Sequence, residues 1–305
     1  MTDATMSGLA HHLSRIRAAL ERHANDGKTG SAARPPGAAP EGAGGEESPV
    51  GLLCETFGLT GFERDVLLLC AGVELDGDFA RLVASISGRP QPTFSLALAA
   101  LDEPHWSALL PTGPLRYWRI VELGDGPGIV GSLLRIDERI LHFLVGLQYV
   151  DERIAALTAV AVPPAELAPA KQEMAERIAA AWSGAEATQA LPIVQLYGAD
   201  PKARLALASY SSALVEAALL VLDSRDLPED EEAFVRFERL WEREALLTGA
   251  ARMIVCGSKE APDSPRLRRI ERLAESAAGA MVLSTQEPLT LPGRETISFE
   301  LAPGD

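Results

Sequence analysis

The sequence predicts a chain in two parts: an α+β module made mostly of short helices, followed by an α/β domain built on a parallel sheet. Three observations carry this reading. After residue 190, five short apolar runs alternate with helical patterns, and strand–helix alternation with buried runs implies a parallel sheet covered on both faces. Before residue 150 the pattern is instead several helices, a pair of β-rich segments and a closing helix. At 305 residues the chain also exceeds the usual size of one domain.

Residues 1–24 form the first element. Leu9, Leu13, Ile16 and Leu20 recur at helical spacing, which makes one apolar stripe of an amphipathic helix. Such a stripe needs a partner, either the protein's own body or another chain. Residues 25–49 are rich in Gly, Pro, Ala and Ser, so they bury too little to offset their ordering entropy and read as a flexible linker. On that long leash the helix is suited to reaching a neighbouring subunit.

Residues 50–162 read as the first domain, with helices expected at 50–57, 62–73, 76–87 and 93–101. A stop at Gly58 and a restart with Thr60 and Glu63 has the form of a capping box. The β-rich stretch RYWRIVEL, a turn at Gly124–Gly128 and a second short extended run make a hairpin signal. A helix at 136–149 closes the module. Helices followed by a hairpin and a closing helix are a winged-helix-like arrangement. Residues 163–190 read as a linker carrying one helix.

In residues 191–305 the expected strands are 193–197, 218–223, 252–257, 280–284 and 296–301, with helices near 202–216, 229–249 and 265–278. The first strand leads into Gly198-Ala-Asp-Pro-Lys-Ala-Arg-Leu205 and then a helix. A phosphate loop at this place reads G-x-x-x-x-G-K-[ST], in which the second Gly lets backbone approach phosphate, the Lys reaches the β/γ-phosphates and the hydroxyl binds Mg²⁺. Only Gly198 remains. Ala203 adds a β-carbon, Arg204 keeps charge without the compact ammonium, and Leu205 cannot ligate metal. The third strand should end in an acidic pair, yet its tip carries Cys256 and Gly257. Asp223, ending the second strand, reads as a cap for the next turn rather than a catalytic acid. The site is therefore a degenerate P-loop: no catalytic residue, no cofactor and no metal are expected.

Composition narrows the function further. The net charge of −15 disfavours general affinity for nucleic acid or anionic membrane. Cys54, Cys70 and Cys256 lie apart in apolar sequence and read as reduced core thiols. The N-terminus lacks the basic start and apolar run of a secretion signal, and no stretch approaches membrane-spanning length. A cytoplasmic protein is expected.

With these residues in view, 191–305 resemble the core of AAA+ ATPases in strand–helix order and in the sensor-like fourth strand VLSTQEP, polar at Ser284 and Thr285. The N-terminal LRYWRIVELGDG…LRIDERILHFLVG resembles the winged-helix domain of a bacterial AAA+ family associated with contractile injection systems. The resemblance implies a degenerate first ATPase-like domain ahead of an active one. No helical lid follows 296–301 here, and the chain stops at Gly304–Asp305, so it implies the front piece of a longer protein. None of the family's catalytic positions is matched.

The function expected is a non-catalytic recognition and ring-scaffolding region whose partners are other protein subunits, in a homo-oligomeric ring, and an injection-particle component. Tyr117 and Trp118, adjacent in the expected wing strand and so facing opposite sides, are the partner-binding candidates. A winged-helix DNA-binding regulator is the alternative. However, residues 50–150 hold seven Lys/Arg against twelve Asp/Glu, and the basic string 266–272 lies in the other domain, where it reads as a solvated or ring-interface face. A weakly active hydrolase using Lys202 is a further alternative, which would require a rebuilt loop.

Overall fold

The computed structural model describes residues 2–29, 48–184, 191–257, 264–291 and 293–302. The chain divides into two compact units, Met1–Tyr149 and Val150–Asp305. It is an α/β fold, with helices and a two-stranded hairpin in the first unit and a mostly parallel six-stranded sheet in the second.

In the first unit α1 spans Thr2–Thr29, α2 Pro49–Phe57, α3 Gly61–Leu75, α4 Gly77–Ser87 and α5 Phe94–Ala100. The expected stop and restart after α2 are present. Gly58 closes α2 at φ 64°, and the Thr60 and Glu63 side chains exchange bonds with each other's backbone N–H at 3.2 and 2.9 Å. Helix α3 is buried almost all round, from Phe62 through Leu67, Leu68, Leu69 and Cys70. A helix apolar on every side must be covered on every side. One cover is α1, whose Leu9, Ile16, Ala19 and Leu20 are buried and whose Arg15 and Arg17 pair with Asp65 and Asp76. The apolar stripe thus docks on its own unit, which corrects the expectation that it reaches a neighbouring subunit. Residues 25–29 continue α1 and Pro49 opens α2; the rest of the expected linker, 30–47, lies outside the described residues.

The hairpin is shorter than expected. After a 3₁₀ turn at Trp106–Leu109, α6 covers Pro114–Tyr117, and only Val121–Leu123 (β1) pairs with Leu134–Ile136 (β2). Pro114 supplies a preset first helical position, and Tyr117 and Trp118 donate backbone N–H to the Gly113 and Pro114 carbonyls. The β-propensity of RYWRIVEL is overridden there. A single turn, α7 (Gly128–Gly131), sits between β1 and β2, and α8 (Glu138–Leu144) closes the unit.

The second unit begins earlier than the sequence implied. Helix α9 (Glu152–Ala155) and strand β3 (Thr158–Ala161) precede α10 (Pro169–Ser183). β3 pairs antiparallel with β5 (Leu219–Asp223) at the edge of the large sheet, so residues 150–162 belong to the α/β unit and not to the winged-helix-like domain. Helix α10 buries Ala175, Ile178 and Trp182 against the sheet, so it is part of the core and not a linker. The four-residue strand ends at Val162-Pro163-Pro164, too short for its alternation to stand out.

The remaining elements are β4 (Ile193–Gly198), α11 (Pro201–Leu214), α12 (Glu231–Thr248), β6 (Ala251–Val255), α13 (Pro265–Ser276), β7 (Met281–Thr285) and β8 (Thr296–Leu301). The strand order is β3-β5-β6-β7-β4-β8, with β4 to β8 parallel. Alternate residues feed two cores, as a period of two requires. Ile193, Leu220, Ile254 and Leu283 meet α12 and α13; Val194, Leu219, Met253 and Val282 meet α10 and α11. Buried ions tie the unit together: Arg243 of α12 pairs with Asp151 at 2.7 Å, and Arg252 of β6 with Glu242.

Candidate phosphate-loop site

Strand β4 lies inside the sheet. From it the chain crosses to β5 on one side, while β7 beside it sends the chain to β8 on the other. The carboxyl ends at such a reversal are where open α/β sheets bind ligands. The degenerate phosphate loop falls at this place.

Its geometry differs from the expected eight-residue loop. Only Ala199 and Asp200 separate β4 from α11, and Ala203, Arg204 and Leu205 are already helical. Asp200 is the N-cap, its Oδ1 accepting from the Lys202 and Ala203 amides at 2.8 and 3.2 Å. Backbone amides at a helix start are the groups that cradle phosphate in a working loop; here a carboxylate of the same chain takes two of them. Pro201 removes a third donor. Gly198 keeps φ 135°, and a β-carbon there would run into the Leu301 carbonyl oxygen. The surviving glycine thus serves close packing of β4 on β8.

Arg204 is 3% exposed. Its Nε donates to Ser284 Oγ at 2.7 Å, and its Nη1 donates to the Gly198 carbonyl. The guanidinium therefore bridges the tips of β4 and β7. Burial pulls its pKa down and the Asp200 carboxylate pushes it up; a guanidinium stays charged in either case. The sequence marked Arg204 as a lost lysine and Ser284 as a sensor-like polar position, but gave no sign that the two bond each other. Leu205 and Lys202 are exposed on α11.

At the third strand, Cys256 is buried and its N–H donates to the Ser284 carbonyl at 2.9 Å, beside half-buried Gly257. Asp223 caps the 3₁₀ turn Ser224–Asp226: its Oδ1 accepts the Arg225 backbone N–H at 2.9 Å and its Oδ2 an Arg225 Nη2 proton at 2.7 Å. Hydrogen bonds from Arg225 hold its carboxyl below the usual value. Among the described residues no three His, Cys, Asp or Glu side chains cluster as metal ligands. All three cysteines are free, and burial pushes the Cys54 thiol up to about 11.

Tyr117 and Trp118 are not strand neighbours on opposite faces, which corrects the wing expectation. Their rings meet edge-on at 4.8 Å at the end of α6, and Trp118 also packs on Phe57 at 5.3 Å. Tyr117 is 37% exposed, whereas Trp106 is 67% exposed and is the aromatic that sequence reasoning missed. The available signal was its setting, PHWSALLP, an uncharged run between prolines.

Residues 10–158 match the family described as "Winged helix domain, variant". The end of that match overlaps β3, the edge strand of the second unit. No curated protein sequence matches the chain. Among solved structures, one described as "Structure of Rhizobiales Trip13" is similar at 16% identity over 47% of this chain and 68% of that one, with a TM-score of 0.28. So slight a likeness carries no argument. No described helix is long and apolar enough to cross a membrane.

Proposed function

We propose that this chain is the non-hydrolysing front region of an AAA+ ATPase, in which the winged-helix unit recognises a protein and the α/β unit scaffolds a homo-oligomeric ring. The observation that carries it is the filled connection after β4, where Asp200 takes the helix-start amides and Arg204 takes Ser284 and Gly198. The Lys202 and Ala203 amides and the Arg204 guanidinium, groups that would meet a triphosphate there, already have partners within the chain. The ring and an injection-particle component as partner follow from the sequence resemblance alone, and a cytoplasmic location from the reduced thiols and the N-terminal sequence.

Protein is favoured over nucleic acid as the recognised class by α5, the last helix longer than a single turn before the hairpin. Its sequence, FSLALAA, has no charged residue, whereas a helix entering a DNA groove brings basic side chains to phosphate. Arg64, Arg81 and Arg119 nearby are spent on Asp65, Asp78 and Glu122. Calorimetric titration with Mg·ATP tests the first half of the proposal: no saturable heat is expected, and micromolar, Mg²⁺-dependent binding would contradict it. Salt-sensitive binding to duplex DNA would contradict the second half.

A further inference from the structure

A second feature lies at the carboxyl ends of β5 and β6, away from β4. Between the turn after β5 and the first turn of α13 is a cleft of about 580 Å³, walled by Leu227, Glu229, Ser264, Pro265, Arg266 and Arg269. That volume suits a small ligand.

Arg266 and Arg269 are three residues apart on α13 and so share a face, at the electropositive end of the helix. Arg269 is held in place from two sides. Its Nη2 donates to the Glu229 carbonyl, and its guanidinium lies over the Phe234 ring at 5.4 Å. No described carboxylate pairs with it. Arg272, one turn on and over the same ring at 5.3 Å, is instead spent on Glu231 and Glu238. Among the described residues, the carboxylates bordering the cleft are otherwise engaged or open to water. Asp223, whose charge reaches Arg266, is bound by Arg225, and Asp226 and Glu229 are exposed.

We propose that this cleft binds a small oxyanion ligand bearing carboxylate or phosphate groups. Arg269 supplies the fork that meets the oxyanion, Arg266 the second charge, and buried Leu227 an apolar floor. A guanidinium has five donors in a fixed plane; the Glu229 carbonyl takes one and the Phe234 ring fixes the plane, which leaves an oriented cation in a ligand-sized space.

The test is titration of the whole chain with inorganic phosphate and with citrate, each against chloride at matched ionic strength. Saturable binding of at least one is expected, with Arg269→Ala weakening it about tenfold or more and Arg269→Lys restoring part of the loss. Arg268→Ala, at an exposed position outside the cleft wall, should leave binding unchanged. Preference for phosphate assigns a phosphoryl ligand, and preference for citrate a carboxylate. If Arg269→Ala does not fold, Arg266→Ala must show the weakening in its place. Absence of saturable binding by both anions overturns the proposal, as does unchanged affinity in whichever of these two variants folds.

Discussion

Arg204 and Ser284, eighty residues apart in sequence, are joined by a 2.7 Å hydrogen bond that ties the first turn of α11 to the tip of β7. The same guanidinium holds the Gly198 carbonyl. One side chain thus links three segments at the reversal point of the sheet, in the space where a phosphate-binding protein would place its ligand.

This bridge makes the first prediction. Arg204→Ala leaves a buried Ser284 hydroxyl and the Gly198 carbonyl without their partner, which costs about 2–4 kcal/mol of folding stability. Arg204→Lys, with one compact ammonium in place of a fork, should lose less. Urea denaturation of the two variants checks the order, and an alanine variant as stable as the parent would mean the bridge is incidental.

A second prediction concerns Asp151, which pins α9 and the start of β3 to α12 through Arg243. Burial alone would raise its carboxyl. Hydrogen bonds from Arg153 and the charges of Arg153 and Arg243 outweigh that, and hold it below its ordinary value of 3.8. A depressed folded pKa means stability that is complete above the unfolded value and lost as pH falls through the folded one. Asp151→Asn should therefore cost about 3 kcal/mol at neutral pH by removing the buried carboxylate that Arg153 and Arg243 both hold. The deficit should shrink below about pH 4. A deficit that stays constant from pH 7 to pH 2 would rule this linkage out.

The aromatic pair at the end of α6 supplies the third. Trp118 is half-buried on Phe57 and Tyr117 is the more exposed of the two. Trp118→Ala should lower stability by about 2 kcal/mol and Tyr117→Ala by less than about 1 kcal/mol. Thermal unfolding reads both. The reverse order would place Tyr117 in the core and Trp118 at the surface.

How much of this was legible beforehand depends on whether the signal was local. The Thr60–Glu63 capping box, the Gly58 stop and the five parallel strands are written in neighbouring residues, and all appear where the sequence put them. β3 was missed because strand membership is decided by pairing with β5, more than fifty residues away, and α10 was read as a helix in a linker because its burial of Ala175, Ile178 and Trp182 depends on the distant sheet. Tyr117 and Trp118 were misread because Pro114 starts a helical turn that β-propensity does not anticipate. At the phosphate-loop site the missing Lys, hydroxyl and acids were readable, but their replacements were not. Asp200 as a cap and Arg204 as a bridge to Ser284 depend on where α11 begins, and that is set by Pro201 and by packing against β4 and β7.

The central claim is that the chain itself fills the groups that would hold phosphate, and the Lys202 and Ala203 amides report on it most directly. Amide hydrogen exchange at these two positions, with and without saturating Mg·ATP, is the measurement. The account predicts that both amides, bonded to Asp200, are protected without nucleotide, lose that protection in Asp200→Ala, and are unchanged by Mg·ATP. Free exchange in the nucleotide-free chain, with protection only when Mg·ATP is added, would contradict it.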